Sequence, residues 1–354
     1  MFRTICCTLP FSICLCWFVT FALETRRNDP AKRSLTVFLG TCSVLYLCHA
    51  FYFNGGLPTW AESLWALCSL SVYPLYFVYI CHLTCRPLSL AQTALLLLPG
   101  LVVATAILLL PGADTDTARK LLNAVQIAFV LYFGYRRLLT FDKEVANVYA
   151  DTEGRDTSAI RTLLIAFVMT SLLSMAANVL GKQYFASSDW LVLAAFLPFT
   201  ILLYALSYIG YTRHFTQKQF LDDTTGTEST ATHAEAEEMD ESELGRKIEE
   251  LMGNGYYLNK NLKVNDLASE TKSCRTYVSN YINKAHECSF SDYVNLLRVE
   301  HAKRLLQENR DMKMTVVADM SGFTSMQSFY RSFRKFVGMA PVDWLKGLSQ
   351  QQES

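Results

Sequence analysis

The sequence predicts an all-α protein in which a polytopic bundle of about seven transmembrane helices precedes a small helical domain. Long apolar runs fill residues 1–214, and glycines, prolines and charged residues separate them. Residues 215–243 are acidic and poor in apolar side chains, whereas residues 244–350 carry short amphipathic patterns in two similar units. These three compositions predict a membrane domain, a flexible cytoplasmic linker and a separate carboxy-terminal domain.

Seven apolar runs define the predicted bundle. A helix needs about 20 mainly apolar residues to cross the hydrocarbon core of a bilayer. The runs that meet or approach this length are 5–23, 35–53, 60–81, 88–110, 121–139, 163–180 and 190–211. The first run resembles a signal peptide, but it is long and lacks a clear small-x-small cleavage site. We therefore expect a retained first helix, and a six-span count with that run cleaved stays open.

The lysines and arginines of the short loops predict the orientation of the bundle. With seven spans, twelve of these residues lie on one side of the membrane and four on the other. Cytoplasmic loops carry the excess of positive charge, so we expect the amino terminus outside and the carboxy terminus in the cytoplasm. The lipid bilayer is therefore an expected partner, and the predicted location is the cytoplasmic (inner) membrane.

Ionisable groups within membrane spans usually mark transport or catalysis, and this bundle has few of them. Glu62 and His82 lie near span ends, and His49 lies somewhat deeper. The amides of Asn123 and Gln126 favour hydrogen bonds between helices. The sequence contains no HExxH or GxSxG motif and no paired intramembrane carboxylates. We expect a sensor bundle without catalytic residues rather than an enzyme; a transporter or enzyme with a fused regulatory domain is the alternative.

The cysteines predict neither disulfides nor a metal site. Nine of the eleven precede residue 90 and lie in or beside apolar runs, where small apolar side chains are expected. Cys81, His82 and Cys85 are close together, but a structural zinc site needs a fourth ligand. We therefore predict no metal and no cofactor.

Charge separates the linker from the domain that follows it. Residues 217–257 carry 3 basic and 11 acidic side chains, and residues 258–348 carry 14 basic and 9 acidic ones. Such an acidic, weakly apolar stretch does not bury enough surface to fold alone. We expect a flexible tether whose carboxylates compete with nucleic acid for the basic face of the next domain. The carboxylates concerned are Glu235, Glu237, Glu238, Asp240 and Glu241.

The carboxy-terminal domain is predicted to hold two helix-turn-helix units joined by a long helix. The first unit covers about 264–284, the connecting helix about 289–307 and the second unit about 315–336. In the first unit, Ser273 is placed to cap the second helix, whose expected core-facing positions include Tyr277. The connecting helix keeps its apolar side chains on one side, with Arg298 toward the other faces.

The second unit has the clearer turn. Gly322 suits a left-handed backbone conformation, in which a side chain would cost energy. Ser325 then opens a helix with Phe329, Phe333 and Phe336 facing inward at i, i+4 and i+7. The outer face of this helix is left polar and basic, and Ser328 is expected on it. Two such units in tandem with a basic net charge favour nucleic-acid binding over a merely solvated helix face.

Residues 258–344 resemble the DNA-binding domain of the AraC/XylS family of bacterial transcription regulators. The first unit reads LASETKSCRTYVSNYINKAHECSFSDYVNLLRVEHAKRLL, and the second reads MTVVADMSGFTSMQSFYRSFRKFVGMAPVDWL. The resemblance rests on the LA pair, the Arg-x-x-x-Ala-x-x-Leu-Leu run, Gly-Phe, Ser-x-Phe, Phe-Arg-Lys, and the closing Gly and Pro. Two positions depart from the family pattern: His286-Glu287-Cys288 replaces the usual glycine turn, and Trp344 replaces the commoner Tyr-Arg ending.

The resemblance implies that the second helix of each unit reads bases in the major groove of double-stranded promoter DNA. The implied base-reading residues are Arg275, Thr276, Ser279, Asn280, Met326, Gln327, Tyr330 and Arg331. The implied phosphate contacts are Lys284, Arg304, Arg334 and Lys335. The expected function is a membrane-anchored, sequence-specific transcription regulator that couples a membrane or extracytoplasmic signal to promoter binding. A signal ligand, a second copy of the chain and RNA polymerase are further partners that stay open.

Overall fold

The computed structural model describes residues 2–24, 29–54, 57–110, 115–180, 188–213, 217–225 and 241–352. Within these ranges every named element is a helix, and β pairing is confined to one isolated bridge between Tyr149 and Lys263. The predicted all-α fold class is confirmed for the described residues. The chain divides into two compact units, of which unit 1 comprises residues 1–140 and 157–220 and unit 2 comprises 141–156 and 221–354.

Most of the helices that contribute to unit 1 are long and apolar, and the shorter ones are more polar. In chain order, the helices are α1 (Phe2–Leu23), α2 (Pro30–Asn54), α3 (Thr59–Leu83), α4 (Leu90–Leu109), α5 (Thr115–Phe129), α6 (Tyr135–Val148), α7 (Ser158–Leu180), α8 (Asp189–Thr212) and α9 (Gln217–Thr225). Six of the described helices are long and apolar enough to cross a membrane, namely α1, α2, α3, α4, α7 and α8. Each of these six helices overlaps one of the predicted runs.

The remaining predicted run, 121–139, is divided between two helices. Between α5 and α6 the chain forms a single π turn at Val130–Gly134, so the backbone stays helical throughout the run. Such wide turns interrupt the regular hydrogen-bond ladder of a helix. At Gly134 a Cβ would lie 3.1 Å from Cδ1 of Ile80, so the absent side chain allows α3 to approach closely. The predicted run 121–139 is therefore one continuous helical stretch with a wide turn inside it.

Polar side chains in unit 1 join neighbouring helices. The side-chain amide of Gln126 donates to the backbone carbonyl of Leu70 at 3.0 Å, as expected for an interhelical bond. The Ser63 hydroxyl donates to the carbonyl of Ala104 at 2.7 Å and so connects α3 to α4. His49 lies against Trp65, whose ring N–H is 3.4 Å from Nε2 of the histidine. These contacts serve helix packing.

Helix α4 leaves a broad apolar surface uncovered within unit 1. Leu90 and Leu109 are 91% and 78% exposed, and Leu95 is 67% exposed. A water-soluble helix normally places such leucines against a core, because exposed apolar area is unfavourable in water. The outward leucines of α4 suit a lipid environment.

Unit 2 is built from shorter amphipathic helices. They are α10 (Glu241–Gly253), a 3₁₀ turn (Tyr256–Leu258), α11 (Val264–Thr271), α12 (Arg275–Ala285), α13 (Phe290–Glu308), α14 (Met314–Met320), α15 (Met326–Val337) and α16 (Pro341–Gln352). Of the predicted linker, 217–225 is α9, α10 begins at Glu241, and 226–240 lies outside the described residues. The competition expected of linker carboxylates concerns mainly those residues and stays a prediction.

Among the described residues of unit 2, α13 contributes to two hydrophobic cores. Phe290 and Val294 belong to the first core, together with residues of α10, α11 and α12. Val299, Ala302 and Leu306 belong to the second core, together with residues of α14 and α15. Each helix-turn-helix unit therefore has its own core, and one continuous helix holds the two units together.

Candidate nucleic-acid interface

The first unit turns at Lys272, which has a φ of +55° and so adopts a left-handed conformation without being glycine. Helix α12 begins after Cys274, and no side chain caps its first turn. The expectation that Ser273 caps α12 is therefore wrong. Instead, the backbone N–H of Ser273 donates to the carbonyl of Ala268 at 2.9 Å and closes the end of α11.

Helix α12 packs through Val278 and Ile282, both of which are fully buried. Tyr277 was expected to face the core, but its side chain is 59% exposed. The first core is already filled by α10, Tyr257 and Leu262, which sequence periodicity within α12 does not reveal. Of the predicted base-reading residues on α12, Thr276 and Asn280 are exposed, and Arg275 and Ser279 are half-buried.

At Glu287 the turn after the first unit adopts a left-handed conformation, which usually favours glycine. The φ of Glu287 is +51°, in the left-handed region. The preceding His286 ring stacks on Tyr293 with centroids 4.3 Å apart, so this turn is packed against α13. His286-Glu287-Cys288 thus forms a left-handed turn without a glycine.

The second unit has the predicted turn. Gly322 has a φ of +81°, and the Ser325 hydroxyl accepts a hydrogen bond from the backbone N–H of Ser328 at 3.0 Å, which caps α15. Phe329 and Phe333 are fully buried in the second core, whereas Phe336 is only partly buried. Turn, cap and aromatic stripe thus fix the direction of α15.

The outer face of α15 is polar and basic. Gln327 and Arg331 are exposed, whereas Met326 and Tyr330 are half-buried against the second core. Ser328 was expected on this face but is 2% exposed. A shallow surface depression runs along the helix, and it is lined by Tyr330, Arg331, Arg334 and Lys335.

The predicted phosphate-contacting residues are accessible cations, and three of the four have local partners. Nζ of Lys335 lies 2.6 Å from Oδ1 of Asp292, and Nζ of Lys284 lies 3.4 Å from Oε1 of Glu241. Arg304 donates to the Tyr257 hydroxyl at 3.3 Å, and Arg334 is exposed. Exposed pairs of this kind are weak, so these side chains can exchange partners at low cost.

Arg298 is a buried structural residue of the domain rather than a surface cation. Its side chain is fully buried, and its guanidinium donates to the carbonyls of Tyr257 at 2.7 Å and Asn259 at 2.6 Å. Burial lowers the pKa of Arg298 to about 10, while the Asp151 carboxylate opposes this shift, so the group stays charged at neutral pH. The expected outward placement of Arg298 is wrong.

A signal for this burial exists in the sequence. Arg298 lies four residues after Val294 and four before Ala302, and both of these are fully buried. A position in the middle of such a row faces the core whatever its residue type. A charged residue at such a position therefore indicates nearby backbone carbonyls that need donors.

A segment distant in sequence lies against the start of α15. Residues 149–156, YADTEGRD, connect α6 to α7 and belong to unit 2. The Ser325 hydroxyl donates to the Glu153 carboxylate, and the Ser328 hydroxyl donates to Oδ1 of Asp151 at 3.3 Å. These contacts account for the burial of Ser328, and sequence reasoning missed them.

Comparison with known proteins decides the type of the carboxy-terminal domain. A family model described as "Helix-turn-helix domain" matches residues 267–347, which cover most of the first predicted unit and all of the second. The melibiose operon regulatory protein of Escherichia coli (strain K12) is 32% identical over 91 residues, 26% of this chain and 30% of that protein. The carboxy-terminal domain is an AraC-type helix-turn-helix domain.

Other relatives match the AraC-type domain over similar lengths. The uncharacterized HTH-type transcriptional regulator YobQ of Bacillus subtilis (strain 168) is 36% identical over 85 residues, 24% of this chain and 35% of that protein. The Msm operon regulatory protein of Streptococcus mutans is 26% identical over 85 residues, 24% of this chain and 30% of that protein. The chain thus spans about a third of the length of these curated relatives. No solved structure matches it.

Metal-ligating side chains do not cluster in the described part of the chain. Among those residues, no group of three or more His, Cys, Asp or Glu side chains is arranged to hold an ion.

Proposed function

We propose that the chain is a membrane-anchored, sequence-specific DNA-binding transcription regulator of the AraC type. The observation that carries this proposal is the pair of helix-turn-helix units whose second helices, α12 and α15, display polar and basic side chains. Such a second helix lies in the major groove of DNA. Two of the relatives are operon regulatory proteins, which supports the same function.

The exposed side chains of α12 and α15 suit direct base reading. Arginine donates two hydrogen bonds to guanine, and asparagine and glutamine pair with the edge of adenine. We assign these roles to Arg331, Asn280 and Gln327, because all three are exposed. Arg275, Thr276, Ser279, Met326 and Tyr330 complete the proposed base-reading set.

The exposed cations around these helices suit the DNA backbone. Lys284 lies in the last turn of α12, and Arg334 and Lys335 lie in the last turn of α15. Arg304 lies on α13, between the two units. Lysine and arginine at such positions neutralise phosphates and release condensed counterions, which makes binding weaken as salt rises.

The membrane location is part of the proposal. The six long apolar helices and the outward leucines of α4 support insertion in a bilayer. The Lys and Arg bias of the loops supports a cytoplasmic AraC-type domain, where DNA is accessible. Contacts between residues 149–156 and α15 also support this orientation, since they require that loop and the domain to share one side of the membrane.

Base reading by Arg331 predicts a specific change in sequence preference. Selection of binding sites from a random duplex pool is expected to enrich a motif with the wild-type chain in detergent micelles. For Arg331→Ala, affinity for that motif should fall about tenfold or more and discrimination at one base pair should be lost, because the arginine no longer pairs with its base. Affinity is measured by electrophoretic retardation.

The control is Arg246→Ala, which removes an exposed arginine of α10 outside both reading helices. This variant should select the wild-type motif with unchanged affinity. Uniform weakening of all duplexes by Arg331→Ala, with a shallower salt dependence, would assign Arg331 to a phosphate instead. If no duplex is retarded at low salt by any variant, the proposed function is wrong.

Orientation of the bundle gives a separate prediction. A fluorescent protein that matures only in the cytoplasm should fluoresce when fused after Ser354, and the chain should stay in the membrane fraction after alkaline washing. The same reporter fused before Met1 should be dark, because an odd number of spans places the two termini on opposite sides. Fluorescence from both fusions would contradict the seven-span arrangement and favour an even count.

A further inference from the structure

Backbone hydrogen bonds join residues 149–156 to the rest of unit 2. Ala150 is fully buried in the first core. Its N–H donates to the carbonyl of Leu262 at 3.1 Å, and its carbonyl accepts from the Ser291 hydroxyl at 2.8 Å and the Asn295 amide at 2.9 Å. Three hydrogen bonds on one buried residue fix this point of the segment.

The residues beside Ala150 anchor the same segment from a second direction. The Tyr149 hydroxyl donates to Oδ2 of Asp223 at 2.6 Å, and Nζ of Lys263 lies 2.9 Å from Oδ1 of the same carboxylate. The Arg155 guanidinium lies 4.5 Å from the centre of the Tyr149 ring. The segment is therefore a docked element of unit 2 and not a free loop.

From this anchor the chain brings three carboxylates to the beginning of α15. Asp151 accepts from the Ser328 hydroxyl, Glu153 accepts from the Ser325 hydroxyl, and Oδ2 of Asp156 lies 3.9 Å from Nη1 of Arg331. Helix α15 carries no acidic residue in its own first turn. Since the amino-terminal end of a helix attracts negative charge, the docked segment supplies the carboxylates that α15 lacks.

The same end of α15 is where DNA would have to bind. The amino-terminal residues of a recognition helix contact base edges, and helix amino termini bind phosphate oxygens. With the segment docked, carboxylates occupy these positions, and Arg331 faces Asp156. Negative side chains at that surface also repel the phosphate backbone. Docking of the segment therefore competes with DNA for the start of α15.

We propose that residues 149–156 form an autoinhibitory latch, which covers the start of α15 and is displaced when the regulator engages DNA. The proposal rests on the proposed function. The latch continues directly into α6 on one side and α7 on the other, and α7 begins at Ser158, two residues after Asp156. A signal that moves either helix is thus passed through the chain itself to residues 149–156. It shifts the equilibrium between docked and undocked segment by the difference in its free energy of interaction with the two states.

The test compares charge-neutral latch variants in the full chain, purified in detergent micelles, with a random-sequence DNA duplex as the probe. D151N/E153Q/D156N keeps the shape of each side chain and removes its charge. Retardation at low salt should show about tenfold tighter binding than wild type, because a larger fraction of molecules has a free α15. E153Q alone retains the turn made by Asp151 and should shift affinity in the same direction.

Removal of negative charge alone also favours DNA binding, so a matched control is needed. E300Q/E308Q/D343N neutralises three exposed carboxylates of unit 2, two on α13 and one on α16. This variant should bind the duplex within about twofold of wild type, because its three carboxylates are not those that residues 149–156 place at α15. Equal tightening by latch and control variants would overturn the latch and leave the proposed function standing.

Hydrogen exchange provides a readout that charge alone would not move. The backbone N–H of Glu153 donates to Oδ1 of Asp151 at 3.0 Å, and this turn is held by the docked segment. Saturating duplex should speed exchange in residues 151–156 of the wild-type chain, because bound DNA displaces them. Unchanged protection with DNA bound would overturn the latch. If no variant binds any duplex, the proposed function fails, and the latch fails with it.

Discussion

Replacement of Arg298 with leucine is expected to lower the free energy of unfolding of the carboxy-terminal domain by about 3 kcal/mol or more. The loss follows from the two backbone carbonyls, of Tyr257 and Asn259, which keep their burial but lose a charged donor. A hydrogen bond to a charged group contributes roughly 1.5–3 kcal/mol, and an unsatisfied buried acceptor costs its full desolvation. Pulse proteolysis in urea, followed on the carboxy-terminal domain, measures the change.

Two further variants help to interpret the effect of Arg298→Leu. Arg298→Lys keeps the charge but lacks the planar guanidinium that reaches both carbonyls, so it should fall between leucine and wild type. Arg246→Ala removes an exposed arginine and should stay within about 0.5 kcal/mol of wild type. If Arg298→Leu had the same urea midpoint as wild type, the hydrogen bonds of Arg298 would not stabilise this domain.

Gly322→Ala should destabilise the second helix-turn-helix unit by about 2–4 kcal/mol, since backbone strain and overpacking each cost roughly 1–3 kcal/mol. The residue has a φ of +81°, and a Cβ there would lie 2.6 Å from the carbonyl oxygen and 2.8 Å from the Cα of Leu258. These are backbone atoms, which do not move aside as a flexible side chain does. Loss of protection in α14 and α15, measured by hydrogen exchange, is the readout.

Other glycines of the same domain separate the two causes. Gly338 has a φ of +86° but open space around its Cα, so Gly338→Ala should cost only the backbone strain, about 1 kcal/mol. Gly347 lies within α16 with open space and an ordinary φ, so Gly347→Ala should stabilise that helix by up to about 1 kcal/mol. Equal effects at Gly322 and Gly338 would show that the close approach of Leu258 is unimportant.

The positions of the helices in the carboxy-terminal domain follow closely from local sequence. The Phe329 and Phe333 stripe, the Ser325 cap and the Gly322 turn all express preferences of neighbouring residues, and all three are present in the structure. Periodicity is a reliable signal where one helix face meets one core. It misplaced Tyr277, because other elements had already filled the first core and left that position exposed.

The contacts of residues 149–156 could not be predicted from neighbouring sequence. Ser325 and Glu153 are separated by 172 residues, and Asn295 and Ala150 by 145. Helix periodicity and capping rules act over a few residues and carry no information on such pairs. In the sequence this loop contributed only Arg155, as one of the charges that predict orientation. In the structure its carboxylates, Asp151, Glu153 and Asp156, contact α15. The base-reading residues stay predictions, because their roles depend on DNA.

Helix α13 has a consequence for how the carboxy-terminal domain comes apart. Its first half supplies Phe290 and Val294 to one core, and its second half supplies Val299 and Leu306 to the other. Neither half can fray without exposing apolar side chains of the core that it serves, and Arg298 is fixed at the junction between them. Local opening in one reading unit therefore withdraws support from the other. The two units should behave as a single cooperative foldon, gaining and losing their native packing together.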